Sequence, residues 1–187
     1  MWPQIYNQSV LELALIAKQE KTSASNAVSV GVVDQKVEQE WETPSPEEII
    51  SLTRAHVEAM ETSADDAIWV MAGMHHLLVR TTGRRTGGEH KVALPVWFDP
   101  EGHRIVVASF AGAKKDPAWY LNLAAAADEV SCKSQSGEYF SRVEILDGQE
   151  YERIWNLLVE DRSWYTDYQA QAERRLPLVR LPETRIP

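Results

Sequence analysis

Apolar positions along the chain change their period, and each change marks an element. Ile49, Ile50, Leu52, His56, Val57 and Met60 recur at near-helical spacing and predict a helix from about 46 to 61. Ser45 suits its N-cap, Pro46 its first turn, and Glu47 and Glu48 place negative charge where the helix dipole favours it. A second short helix is expected over Ala64 to Met74. The period then shortens to that of strands: Leu77 to Thr82, Lys91 to Phe98 and Arg104 to Ser109, with Pro100, Glu101 and Gly102 turning a hairpin between the last two. Asp116 is expected to cap, and Pro117 to pre-set in φ, a helix running to about Ala127. Glu129 to Gln135 and Glu138 to Leu146 form a hairpin around Ser136 and Gly137. Asp147 is expected to cap a helix carrying Tyr151, Ile154, Trp155, Leu157 and Leu158, and Leu178 to Leu181 makes a last strand. Strands at hairpin distance, with helices inserted rather than alternating, predict an α+β, mainly β protein built on an antiparallel barrel.

Residues 1–43 read differently. Ile5, Val10, Leu11, Leu13, Ala14, Leu15 and Ile16 form an apolar, helical segment, broken by the small polar residues from Lys21 to Ala27. Val28, Val30, Val32 and Val33 have strand character, and Asp34 to Trp41 returns to an acidic helical pattern. The division expected is an N-terminal helical extension, 1–43, on a barrel domain, 44–187.

Composition narrows the function. With 187 residues, 44% of them hydrophobic, the chain supports one sizeable core. A net charge of −9 argues against nonspecific nucleic-acid binding. Cys132 is the lone cysteine, so no intrachain disulfide or thiolate metal cluster is possible, and a reducing cytoplasm is expected. No run reaches the ~18 apolar residues of a membrane span, so no stable membrane insertion is expected. Against this acidic background, Leu77 to Asn122 holds seven Lys or Arg and four Asp or Glu, a local +3 in a chain whose remainder carries −12. A basic island in an acidic protein points to a small anionic ligand.

Two loops within that island can grip an anion. In TTGRRTGG, Thr81 to Gly88, the glycines let backbone amides turn toward one point that Arg84 and Arg85 also reach as forks. The same spacing serves a tight hairpin with solvated arginines, and the Gly-Lys-Ser/Thr ending of a Walker loop is absent. In VASFAGAKKDPAWY, Val107 to Tyr120, small residues and Lys114 and Lys115 precede a helix start, which offers free N–H groups; a solvated lysine pair before an ordinary helix fits equally. Tyr165 and Tyr168, three apart, share a helical face and can aim two hydroxyls at one pocket or simply pack in the core. His75 and His76 have no Cys or acidic partner at metal-ligand spacing, so no metal site is expected. A G-x-S-x-G elbow and a G-x-G-x-x-G fingerprint are both missing.

These motifs, in this order, resemble the deazaflavin-dependent nitroreductases, split β-barrel oxidoreductases that use coenzyme F420. The resemblance covers about Leu77 to Leu181: the TTGRRTG turn, VAS with a small-Gly pair, KDPAWYLNL from Lys115 to Leu123, WYTDYQ from Trp164 to Gln169, and the RRLPLVRL ending. It implies a split barrel with reduced F420 in a groove. The cofactor residues carried over are Arg84, Arg85, Thr86, Lys91, Pro95, Val96, Ala108, Ser109, Phe110, Ala111, Gly112, Lys115, Ala118 and Trp119, with Tyr165, Tyr168 and Ser109 facing the chemistry. A deazaflavin has carbon where a flavin has nitrogen at position 5, so it delivers hydride, and the acceptor classes implied are quinones, enones and nitro compounds. The chain departs from the family pattern at Phe110, where a lysine is usual, at Lys91 for an arginine, and at Arg162 for a third tyrosine. An FMN-binding split-barrel oxidoreductase and a noncatalytic cofactor-binding protein are the alternatives. A monomer or homodimer is expected.

Overall fold

A computed structural model describes residues 39, 42–63, 65–126 and 129–187. The expected helical and strand segments before Gln39 lie outside the described residues.

Helix α1 (Pro46–Thr62) begins as expected. The Ser45 hydroxyl accepts from the Glu48 amide and the Glu48 carboxylate accepts from the Ser45 amide, a complete capping box. Helix α2 is only Asp66–Trp69, because Ala72 and Gly73 take positive φ (49° and 72°) and turn the chain into a hairpin of β1 (Val70–Met71) and β2 (Met74–Thr82). Strands β3 (Glu89–Phe98) and β4 (Arg104–Val107) follow, then α3 (Ala118–Ala124), β5 (Val130–Ser134) and β6 (Gly137–Ser141). The strand expected over Glu138 to Leu146 is two: β6, and β7 (Glu144–Ile145), which pairs instead with β8 (Leu178–Arg180). Between them lie α4 (Gly148–Asp161) and α5 (Trp164–Ala172). Two expected caps differ. Asp147 occupies the N-cap of α4 but its side chain makes no cap hydrogen bond. Pro117, not Asp116, is the N-cap of α3, and Asp116 is drawn away by Arg174 at 2.7 Å.

All pairings are antiparallel, in the order β6-β5-β2-β3-β4-β8-β7. The chain leaving β8 returns to the far edge, where Phe140 of β6 donates to Arg185 and accepts from the Thr184 amide, at 2.8 and 2.9 Å. The sheet therefore curls into a split barrel. Strand alternation sorts its side chains. Leu77, Val79, Leu94, Val96, Val106, Tyr139 and Val179 fill the inside. On the outside, Leu78 and Ala93 meet Met60 of α1, while Ile105 and Leu178 meet Ile154 and Leu158 of α4 and Trp164, Tyr165 and Tyr168 of α5. Helices thus cover two parts of the outer surface, and the gap between α1 and α5 is where the site lies.

Candidate active site

Over β3 and β4, between α1 and α5, runs one cleft of about 1300 Å³. Strand parity decides which residues face it. Lys91, Pro95, Val107 and Ser109 share the outward phase and line the cleft, whereas Val96 and Ala108 point inward, 2% and 0% exposed. Of the residues carried over from the family resemblance, the cleft brings together Arg84, Arg85, Thr86, Lys91, Pro95, Ser109, Phe110, Ala111, Lys115, Ala118, Trp119, Tyr165 and Tyr168. Val96, Ala108 and Gly112 stand behind its wall.

The first loop is held from behind by Asn122 of α3, buried against the barrel. Its amide oxygen accepts from the backbone N–H and the guanidinium of Arg84, both at 3.3 Å, and its amide nitrogen donates to Thr81 at 3.3 Å. Gly83 is required by close approach, since a Cβ there would lie 2.6 Å from His90 Nε2 and 2.8 Å from Thr86 Oγ1. Gly83 also closes the turn, donating to Gly88 and accepting from Gly87, each at 2.7 Å.

The second loop is left-handed through three residues in a row: Phe110, Ala111 and Gly112, with φ of 46°, 52° and 78°. Non-glycine residues in that region cost roughly 1–2 kcal/mol each, and such strain gathers where a site fixes the chain. Arg174, just beyond α5, holds it there. Its guanidinium donates to the carbonyls of Ala108 at 2.9 Å, Ser109 at 3.3 Å and Ala113 at 3.0 Å while pairing with Asp116. Gly112 presses on α5 itself: a Cβ would stand 3.0 Å from Gln171 and 3.1 Å from the Tyr168 carbonyl. Neither Asn122 nor Arg174 was singled out by sequence, since a buried amide and a carbonyl-binding arginine carry no local pattern.

The cations differ in availability. Lys91 donates to Glu61 at 2.7 Å and lies 3.4 Å from Glu89, so the hydrogen bond with Glu61 raises its pKa. Lys114 pairs with Glu173 at 2.6 Å. Arg54, Arg85 and Lys115 line the cleft and make no ion pair with any other described residue.

The opposite end is aromatic. Tyr165 and Tyr168 meet edge to face, ring centres 5.9 Å apart, and Trp164 tilts against Tyr165 at 5.6 Å. Burial pushes the Tyr165 hydroxyl up to about 12, so it stays protonated across the working range. Arg162, at a position where the family has a tyrosine, caps the end of α4 and is 1% exposed, outside the cleft lining. Ile49, Ile50, Val57 and Met74 supply the apolar wall facing these rings.

Fold and cleft together define a class: a split-barrel protein with a groove lined by cations at one end and by tyrosines and apolar side chains at the other. The volume exceeds the roughly 300–1,000 Å³ that houses one drug-sized molecule, leaving room for a cofactor beside a second ligand. Comparison with known proteins fixes the family. Residues 52–183 match the F420H(2)-dependent quinone reductase family, and the chain belongs to it. An F420H(2)-dependent quinone reductase of Mycobacterium tuberculosis (strain H37Rv) is 30% identical over 105 residues, 55% of this chain and 70% of that protein; its counterpart in strain CDC 1551 matches equally. A solved structure described as a domain-swapped dimer is 27% identical, with a TM-score of 0.51 over 74% of this chain and all of that one. Another, of an F420-H2 dependent reductase, is 30% identical over 57% of this chain and 93% of that chain, with a TM-score of 0.49. The protein is accordingly an F420H2-dependent oxidoreductase, with coenzyme F420 as its cofactor. Among the described residues, no helix is long and apolar enough to cross a membrane.

Proposed function

We propose that this enzyme reduces a quinone with F420H2, binding the cofactor's anionic tail at the cationic loops and the acceptor against α1 and the two tyrosines. The observation that carries this reading is the continuity of the cleft. Arg84, Arg85 and Lys115, the Ser109 to Ala111 turn, and Tyr165 and Tyr168 all open onto one space. Arg84 and Arg85 hold phosphate oxygens as forks. Thr86, Ala118 and Trp119 would continue that grip, and Pro95 and Phe110 would pack against the cofactor's rings.

Bound F420H2 supplies a hydride, and the protein's part is to keep the acceptor in line and neutralise what forms. A quinone that takes hydride carries negative charge on oxygen. The Tyr168 hydroxyl donates a hydrogen bond and then a proton to that oxygen, yielding the hydroquinone. Tyr165, held neutral by burial, closes the floor and excludes water. Ser109 adds a hydroxyl beside the reacting rings. The apolar side chains of Ile49, Ile50, Val57 and Met74 suit the ring of a quinone, with Arg54 of α1 beside them.

The test uses purified protein under anaerobic conditions. Fluorescence titration should give tight F420 binding without an FMN response, and menadione should be reduced at the expense of F420H2. Tyr168→Phe should lower kcat by about 100- to 1,000-fold, as for loss of one oxyanion donor, with F420 affinity nearly unchanged. Binding without menadione reduction would leave a noncatalytic cofactor carrier. The one buried thiol, Cys132, fits a reducing cytoplasm, and the domain-swapped relative makes a homodimer the assembly to look for by light scattering.

A further inference from the structure

We infer that Thr43 is a positioning residue for the reaction: it orients and polarises the Tyr168 hydroxyl from outside the family's matched span. The inference rests on Tyr168 being the proton donor proposed above. Thr43 Oγ1 lies 3.0 Å from the Tyr168 hydroxyl oxygen, a contact joining residues 125 apart in the chain. It stands ahead of the matched residues 52–183.

Either oxygen can donate in this contact, and Thr43 is taken as the donor. A threonine hydroxyl has one proton and two lone pairs. Gln39 Nε2 already donates to Thr43 Oγ1 at 3.0 Å and takes one lone pair. If Tyr168 donated to the second lone pair, its proton would be spent on Thr43, and the proton of that exposed threonine would turn to solvent. If Thr43 donates to Tyr168, its proton is satisfied and the tyrosine O–H is released toward the cleft that Tyr168 lines. The chain of donors then runs Gln39, Thr43, Tyr168, acceptor, each bond polarising the next. When Tyr168 gives up its proton, the threonine O–H stays intact and donates its hydrogen bond to the phenolate oxygen, stabilising it until a proton from solvent restores the tyrosine hydroxyl.

Thr43 is held for this task by α1. It sits two residues before Ser45, whose capping box fixes the start of the helix, and Pro44 between them lines the cleft. The outer face of the barrel anchors the far end of α1 through Met60.

Four proteins test the assignment: Thr43→Val, Thr43→Ser, Tyr168→Phe and the double variant Thr43→Val with Tyr168→Phe. Thr43→Val should lower kcat for menadione about 3- to 10-fold, the worth of one neutral hydrogen bond, with KM and F420 affinity little changed. Thr43→Ser should restore most of the loss. The double variant should be no slower than Tyr168→Phe alone. A second readout needs no cofactor: with ¹³Cζ-labelled tyrosine, the resonance absent in Tyr168→Phe should shift in Thr43→Val and return in Thr43→Ser. Wild-type turnover in Thr43→Val with Tyr168→Phe impaired would overturn this inference alone. Fully additive losses would do the same, by making Thr43 a general structural contact. Wild-type turnover in Tyr168→Phe would overturn the donor role of Tyr168 and this inference with it.

Discussion

The two ends of the cleft are built on opposite principles. At the cationic end, charge is exposed and the backbone is what is fixed: Asn122 pins the first loop through the amide and guanidinium of Arg84 and Arg174 pins the second, while Arg85 and Lys115 reach outward. At the tyrosine end, the side chains proposed for the chemistry are part of the core. Tyr165 and Tyr168 are 4% and 8% exposed and belong to the cluster that packs α4 and α5 on the barrel. An exposed guanidinium contributes little to folding, so evolution can place it for binding alone. A buried phenol serves packing and chemistry together, and its replacement disturbs both. The difference teaches that binding can be removed from this protein cleanly, whereas catalysis comes away with some stability.

The sharpest way to break that contrast is at the arginines. Arg84→Ala with Arg85→Ala removes two charge-assisted forks, each worth roughly 1.5–3 kcal/mol to an anion. F420 should bind about 100-fold more weakly or worse by fluorescence titration, and the affinity of the native protein should fall with added salt. The melting temperature should stay within about 2 °C of the parent, because neither side chain is buried. A fall of ten degrees would mean that these cations hold the loop itself, and the contrast between the two ends would fail.

How much of this was legible in the sequence follows the same division. Both candidate anion loops stand out because each is a contiguous stretch in which glycines and cations adjoin, and helix α1 announced itself through Ser45, Pro46 and Glu48. Parity along β3 was readable in principle and separates Pro95 from Val96. What could not be read is long-range. Lys91 meets Glu61 across 30 residues, Arg174 reaches Ala108 across 66, and Thr184 and Arg185 close the sheet on Phe140. These pairings have no period and depend on where the barrel brings its edges. The expected cap at Asp116 failed for a related reason: a charged partner beyond α5 outcompeted the local amide.

Arg174 is where the two ends are joined, so it should answer intermediately. Arg174→Lys keeps the charge toward Asp116 but loses the planar fork that serves three carbonyls. A loss of about 2 kcal/mol follows from the missing hydrogen bonds, or roughly 4–8 °C in melting temperature for a chain of this size. F420 affinity and menadione turnover should both drop, several-fold each, because the left-handed turn relaxes at the cofactor while its contact with α5 loosens at Tyr168. A change in affinity alone would show that Gly112 and α5 hold their contact without the arginine, and the ends would be independent.

The smallest effect is the one that best separates available charge from spent charge. Lys91 faces the cleft, yet its ammonium already serves Glu61 and Glu89. An exposed pair of this kind contributes little, and the cofactor must compete with it. Lys91→Ala should therefore weaken F420 binding only about two- to five-fold, far less than loss of Arg85. Glu61→Gln should do the reverse, freeing the lysine and tightening binding by a similar factor, with the gain fading as salt screens the groove. Opposite signs from two residues in one ion pair cannot arise from general destabilisation, which would weaken binding in both. If Lys91→Ala instead equals Arg85→Ala and Glu61→Gln changes nothing, the lysine leaves its partner when the cofactor arrives, and all the cations of the groove count alike.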